Sequence, residues 1–275
     1  MASRPFQKLL RRLDLERASD WVHVGGSGVG GVTADNRLYG GLVLAQAGVA
    51  AMRTVEALHL HSLHAYFLHP GRPDAEIRFV VDPIKTGRNY HVRLVRAEQA
   101  GSTIFQLTAS FSHRLDEVSH QDEMPSAPDP LTLPNRDQLR GRANWAEQPI
   151  DVRLCDPTAE DEPLDPRKRV WIKPQSELGD DEQLHTAMLL YASDRAFLST
   201  AWRPHADLGP SGGASLDHSV WLHAPVRFND WLLYDMASPA ARFQRGLVHG
   251  GIYDRAGQRV ASVAQEGVLR RQKST

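Results

Sequence analysis

The run "LVRAEQAGSTIFQLTASFSHR" (Leu94 to Arg114) returns later in the chain, altered but alignable, as "HGGIYDRAGQRVASVAQEGVLRR" (His249 to Arg271). In each copy a strand-like run enters an Ala-Gly turn, Ala100-Gly101 or Ala256-Gly257, and an alternating run leaves it. The two Ala-Gly pairs lie 156 residues apart (256 − 100), an offset that matches Ala109 with Gln265. A second pair of segments repeats as well. In "SLHAYFLHPG" and "SLDHSVWLHAP", Ser62-Leu63 matches Ser215-Leu216, and His64, Leu68 and His69 match His218, Leu222 and His223 after one insertion. Repetition on this scale means one supersecondary unit used twice. The chain should therefore fold as two copies of a hairpin-rich β unit.

A helix precedes each β unit. The first, "GGLVLAQAGVAAMRTVEAL" from Gly40, is apolar nearly all round, the mark of a buried helix. The second is expected from about Asp180 to Ala201, opening on "DDEQ", acidic residues suited to an N-cap and first turn. An all-round apolar helix beside long alternating strands predicts an α+β class, with a helix wrapped by antiparallel sheet in each half. Between the halves, Leu115 to Gln148 is rich in Pro, Asp, Glu and Arg and reads as a surface linker. The division is thus 1–114, a linker 115–148, and 149–275.

Composition narrows the partners. A formal net charge of −1 over 275 residues gives no electrostatic case for nucleic acid or an anionic membrane. Hydrophobic residues at 41% supply a core, yet no run approaches the ~18 to 20 apolar residues that span a bilayer. The one cysteine, Cys155, cannot form an internal disulfide, which favours a reducing compartment. The charged N-terminus lacks the apolar stretch of a secretory signal, and "RRQKST" is not a peroxisomal ending. A soluble cytoplasmic protein is expected.

Seven ordered segments carry a resemblance. "LDLER", "YGGLVLAQA", "LHSLHAYFLHPG", "YASDRAFL", "ASLDHSVWLHAP", "WLLYDMASP" and "VASVAQEGVLR" occur in the order and approximate spacing of the type II acyl-CoA thioesterases. The chain resembles that family over most of its length. The resemblance implies two tandem hotdog domains, each a long central helix gripped by a curved antiparallel sheet, the two sheets forming one. It also implies an acyl-CoA substrate, no cofactor and no metal, and it leaves open a homo-oligomer, dimer or tetramer. The family's catalytic set is an Asp on the second central helix, a Ser or Thr beside the L-D-H segment, and a Gln near the C-terminus. The matching residues are Asp194, Ser215 and Gln265. Tyr39 stands where the family usually has Phe, and Glu160 to Asp165 is unusually acidic; neither is expected to touch the chemistry.

These residues make chemical sense on their own terms. Asp194, expected mid-helix, has apolar neighbours one turn away on either side, where a carboxylate is costly unless hydrogen-bonded or neutralised. Burial raises such a carboxyl toward the range of a general base. The plainer reading is an Asp that caps a helix break or pairs with a cation. Gln265 lies in the alternating run "VASVAQEGV", where an inward amide needs a partner and an outward one is merely solvated. Its match in the first copy is Ala109, and the first helix carries no acid before Glu56, so one half is equipped and the other is not. The expected reaction is direct thioester hydrolysis, with Asp194 as base on a water that Ser215 and Gln265 hold. No G-x-S-x-G elbow accompanies any serine. Gly40 and Gly41, at a helix N-terminus, are candidate donors to the oxyanion, with close helix packing as the plainer role. A hotdog dehydratase acting on hydroxyacyl thioesters and a non-catalytic acyl-CoA-binding protein are the alternatives.

Four histidines, His59, His61, His64 and His69, invite a metal-site reading. On a regular strand His59, His61 and His69 share one parity and His64 the other, and no Cys or acid stands at ligand spacing. His61 and His64 match the family's pattern and are kept as second-tier candidates for shaping the substrate groove.

Overall fold

The structure is a computed structural model, and it describes residues 3–26, 38–115, 118–139, 141, 148–156, 164–205 and 213–270. Most of the acidic Glu160–Asp165 run and the C-terminal residues 271–275 lie outside the described residues. The first half comprises α1 (Arg4–Leu13), β1 (Glu16–Ser19), β2 (Val22–Gly25), α2 (Gly40–Met52), β3 (His59–Phe67), β4 (Ile77–Thr86), β5 (Tyr90–Gln99) and β6 (Ser102–Ser112). A 3-10 turn at Pro130–Thr132 and α3 (Arg136–Leu139) follow. The second half runs β7 (Ile150–Leu154), β8 (Arg167–Pro174), α4 (Glu182–Ser193), α5 (Ser199–Trp202), β9 (Ala214–Ser215), β10 (Asp217–Leu222), β11 (Leu232–Arg242), β12 (Arg245–Tyr253) and β13 (Arg259–Val268).

The described strands make one 13-stranded antiparallel sheet in the order β1-β2-β4-β5-β6-β3-β10-β13-β12-β11-β8-β7, with β9 added on β13. The repeat is visible in that order: β4-β5-β6-β3 on one side meets β10-β13-β12-β11 on the other. The seam is the pairing of β3 with β10, from Asp217↔Tyr66 to Trp221↔Ser62. The two Ala-Gly turns differ in kind. Ala100 (φ 47°) and Gly101 (φ 80°) are both left-handed, forming a two-residue hairpin between Gln99 and Ser102. In the second copy only Gly257 is left-handed, and the Asp254 carboxylate accepts from the backbone of Ala256 and Gln258.

Helices α2 and α4 pack against each other beneath this sheet. α2 is buried along nearly its whole length, as its composition requires. Glycines let the two helices approach. A Cβ on Gly41 would stand 2.5 Å from the Tyr191 carbonyl oxygen, and one on Gly48 would stand 2.6 Å from Leu190 Cδ1. Asp181 caps α4, accepting from the N–H groups of Gln183 and Leu184, as the "DDEQ" opening predicts.

Both helices end earlier than the sequence suggests. α2 stops at Met52 rather than continuing to Leu58. α4 stops at Ser193, so Asp194 is its C-cap and not a mid-helix residue. The Arg195 N–H turns back to the Ala192 carbonyl, and Ala196 (φ 63°) reverses the chain before α5 begins. The apolar pattern continues across this break because Phe197 and Ala201 are buried too. Periodicity alone could not reveal the stop.

A register irregularity in β3 between Leu60 and Ser62 overturns the expected histidine parity. Leu60 is buried before it, Leu63 and Ala65 after it, so His59 and His64 both face away from the core. The same pairings correct the alignment of His64 with His218. In the sheet Leu63 lies across from Ala109, while the His218 ring meets Gln265, the residue matched to Ala109. His218 is therefore the counterpart of Leu63 and faces inward, whereas His64 faces outward beside Ser219. A slip of one residue exchanges the faces of a strand.

The segment between the halves does more than cross the surface. Arg153 donates to the carbonyls of Pro130 and Leu133, and Trp171 Nε1 donates to Pro128 O at 2.8 Å. Asp137 on α3 is fully buried and pairs with Arg195 at 3.3 Å, reaching the turn that follows α4.

Candidate active site

Where α4 ends, four elements converge. Asp194 leaves the C-terminus of α4, and its Oδ2 accepts from the Gly41 N–H at 2.9 Å across the boundary between the halves. A carboxylate at a helix N-terminus is favoured by the free N–H groups and the helix dipole. Ser215 lies on β9, held beside β13 by the pairing of Ser215 with Gly267. Gln265 on β13 points inward, fully buried, and its Nε2 donates to Ser215 Oγ at 2.6 Å.

The electrostatics follow from this packing. Asp194 is half-buried, leaving part of its surface open, yet desolvation pushes its carboxyl up to about 7. The Gly41 N–H, hydrogen bonding from Gln265, the Arg195 charge and Ser215 all pull the other way. Asp194, Ser215 and Gln265 are thus brought together with Gly41, although they come from the end of α4, from β9 and from β13. A Cβ on Gly40 would lie 3.0 Å from Asp194 Oδ2, so Gly40 lines the same spot.

Comparison with known proteins shows what this arrangement belongs to. Residues 152–268 match the model of the acyl-CoA thioesterase family, and residues 30–112 match that of the acyl-CoA thioesterase N-terminal domain. The chain is 37% identical over 262 residues to acyl-coenzyme A thioesterase 8 of Mus musculus, a match covering 87% of this chain and 82% of that one. Among solved structures, the acyl-CoA thioesterase II TesB2 from Mycobacterium marinum superposes with a TM-score of 0.81 at 35% identity, over 96% of this chain and 99% of that one. The chain belongs to the acyl-CoA thioesterase II family. A hotdog-fold protein from Alicyclobacillus acidocaldarius, 20% identical, matches with a TM-score of 0.81 over 97% of this chain and 99% of that one, which speaks to the fold alone. The thioesterase is a thioester hydrolase built on that α+β fold.

The second-tier histidines of the thioesterase sit elsewhere. His61 Nε2 lies 2.8 Å from Ser110 Oγ on β6, and burial lowers its ring pKa. His64 is exposed on the outer face, with Nδ1 3.1 Å from Ser219 Oγ and its ring edge-on to Trp221. Neither joins Asp194. Among the described residues no group of three or more His, Cys, Asp or Glu could hold a metal ion, and no helix is long and apolar enough to cross a membrane.

Two residues belong to the site that sequence reasoning left out. Tyr39, set aside as remote from the chemistry, packs its ring edge-on against Tyr191 and donates from its hydroxyl to the Tyr191 carbonyl at 3.0 Å. Burial, then the charge of Asp194, raises its pKa well above the usual value, which places it within electrostatic reach of the carboxylate. His218 is the other. Its ring is fully buried, with Nδ1 2.5 Å from Gln265 Oε1 and Nε2 2.9 Å from Ser193 Oγ. The signal for it was present in the repeat, since a His in one copy against Leu63 in the other is an unequal pair. The one-residue misalignment hid it.

Proposed function

We propose that the chain hydrolyses acyl-CoA to a free fatty acid and CoA, with Asp194 as general base on a water held by Ser215 and Gln265. One observation carries this reading: a carboxyl pushed up to about 7 by burial stands within hydrogen-bonding reach of the Ser215 hydroxyl and the Gln265 amide. A base of that pKa is ionised over much of the neutral range and still basic enough to take a proton. Water attacks the thioester carbonyl as Asp194 removes its proton. The tetrahedral intermediate breaks its C–S bond to give the acid and the CoA thiolate, and the proton held by Asp194 passes to the thiolate to release the CoA thiol. The Gly41 N–H holds the base, which leaves the Gly40 N–H at the same helix terminus as the donor for the developing oxyanion.

The polyphosphate end of CoA suits an open depression of about 390 Å³ lined by Lys8, Arg11, Arg12 and Gly26. Gln46 ties its two walls to α2 by donating to the Arg12 carbonyl, at 2.9 Å, and to the Gly26 carbonyl. The equipped half is 149–275, joined through 115–148 to 1–114. The lone Cys155, buried and with its thiol pushed up to about 12, fits a reducing cytoplasm. A dehydratase needs a histidine that meets substrate, and His218 has both ring nitrogens occupied by protein groups.

A panel of acyl-CoA thioesters with free-thiol detection tests the reading. Thiol release from the parent protein and none from Asp194→Asn is expected. CoA binding without thiol release for any chain length would leave a binding protein in place of an enzyme.

A further inference from the structure

We infer that His218 is a positioning residue that fixes the amide of Gln265, turning its NH₂ group toward Ser215 and Asp194. The inference rests on the general-base reading above and assigns a part that reading does not contain.

An amide side chain has two faces of opposite chemistry. Gln265 can present Nε2, a double donor, or Oε1, an acceptor only, to the carboxylate beside it. The NH₂ group steadies an ionised Asp194, whereas Oε1 would repel it. Neither Ser215 nor the water selects between the two, because a hydroxyl and a water each donate and accept. Asp194 favours the NH₂ group only while ionised, and with its carboxyl at about 7 it is protonated for part of the neutral range. A selection that holds in both states comes from the other end of the amide, and there the partner is His218.

The ring has one consistent arrangement with that choice. Oε1 lies 2.5 Å from Nδ1, a distance at which two bare acceptors repel, so Nδ1 carries the proton. Burial holds the imidazole down to about 4, and it is neutral at working pH with a single N–H. Nε2 is then the bare nitrogen, and the Ser193 hydroxyl, 2.9 Å from both it and the Leu190 carbonyl, shares its one proton between these two acceptors. The surroundings keep the ring from turning. Phe197 stands edge-on at 5.9 Å and in turn stacks on Tyr234, whose hydroxyl donates to the Ser193 carbonyl at 3.0 Å. Ser193 is the residue before Asp194, so the chain Ser193–His218–Gln265–Ser215 begins and ends at the base. The first half has Leu63 and Ala109 at the matching positions and can build none of it.

Two substitutions and one spectrum test this. His218→Leu removes the Nδ1 donor and frees the amide to turn over; kcat should fall by roughly 10- to 100-fold with KM within about threefold, since positioning and not affinity is lost. His218→Asn places an N–H near the position of Nδ1 and should recover most of that loss, although it fills the core no better than Leu. In the unaltered protein, ¹⁵N spectra of labelled histidine should show the His218 proton on Nδ1. A proton on Nε2, an Asn variant as slow as the Leu variant, or a Leu variant with parental kcat would each overturn the assignment. Asp194→Asn, assayed alongside, separates the two failures: turnover in that variant would remove the general base itself, whereas an inactive Asp194→Asn with any of those three results would remove only the role of His218.

Discussion

With its carboxyl pushed up to about 7, Asp194 carries a proton in the folded chain at pH values where the unfolded chain has released it. Two consequences run in opposite directions. As the proposed base it would act only when ionised, so kcat/KM should rise with pH through about 7 and then level off, with no second fall from this group. For stability the order is reversed. Between the ordinary carboxylate value and about 7 the folded state binds the extra proton, so stability declines as pH rises across that window. Asp194→Asn should therefore abolish turnover and yet stabilise the fold at about pH 8 by on the order of 2 kcal/mol, a figure reduced because part of the residue stays open to solvent. The gain should largely vanish near pH 4, and denaturant unfolding at the two pH values measures it. A variant destabilised at both would show the carboxylate to be structural. His218 slopes the other way: its ring is depressed from its ordinary value to about 4, so it removes stability as pH falls through that interval. At this scale Asp194, Ser215 and Gln265 were legible because each sits in a recognisable segment. His218 and Tyr39 were not, because what makes them matter is an atom-to-atom distance across the fold.

Helix ends, more than helix bodies, make the site. The N-terminus of α2 and the C-terminus of α4 meet at Gly41, whose backbone donates to Asp194 and which has no room for a Cβ beside the Tyr191 carbonyl. A methyl group at Gly41 would sit 2.5 Å from that carbonyl oxygen, and backbone cannot move aside as a flexible side chain can. Gly41→Ala should lower kcat at least tenfold and move the acid limb of the pH profile to higher pH, because the lengthened N–H bond no longer favours the ionised base. A variant with unchanged kcat and limb would dissociate the helix terminus from the base. At α1, Lys8→Glu with Arg11→Glu should raise KM for an acyl-CoA about tenfold while leaving KM for the matching acyl-pantetheine, which lacks the phosphates, unchanged. Equal effects on both substrates would move the CoA phosphates away from α1. The sequence announced the helices through their apolar runs but not the break after Ser193, since the buried side of the turn to α5 is as apolar as α4 itself.

If Asp194 is the base, the duplicated chain builds its one site from both halves, because Asp194 accepts from Gly41 across the seam. Its two β units were legible as a repeat, and the sheet confirms a seam where β3 of one meets β10 of the other. What repetition could not convey was which parts of the unequipped half still serve. Gly41 is the answer at atomic scale, because Asp194 belongs to the second half and accepts its backbone hydrogen bond from the first. Without the first half, α4 would lose the helix it packs on, β10 would become an open edge, and the Asp194 carboxylate would face water. Its pKa would then return toward the ordinary carboxylate value, below the range useful for drawing a proton from water at neutral pH. A fragment of residues 149–275 expressed alone should show no thiol release, and mixing it with a fragment of residues 1–148 should restore turnover as the seam re-forms. Restoration should fail when the added fragment carries Gly41→Ala, which ties the recovery to the helix terminus and not to solubility alone. Turnover by the 149–275 fragment on its own would mean that the second half holds a complete site and that the first serves only to cover it.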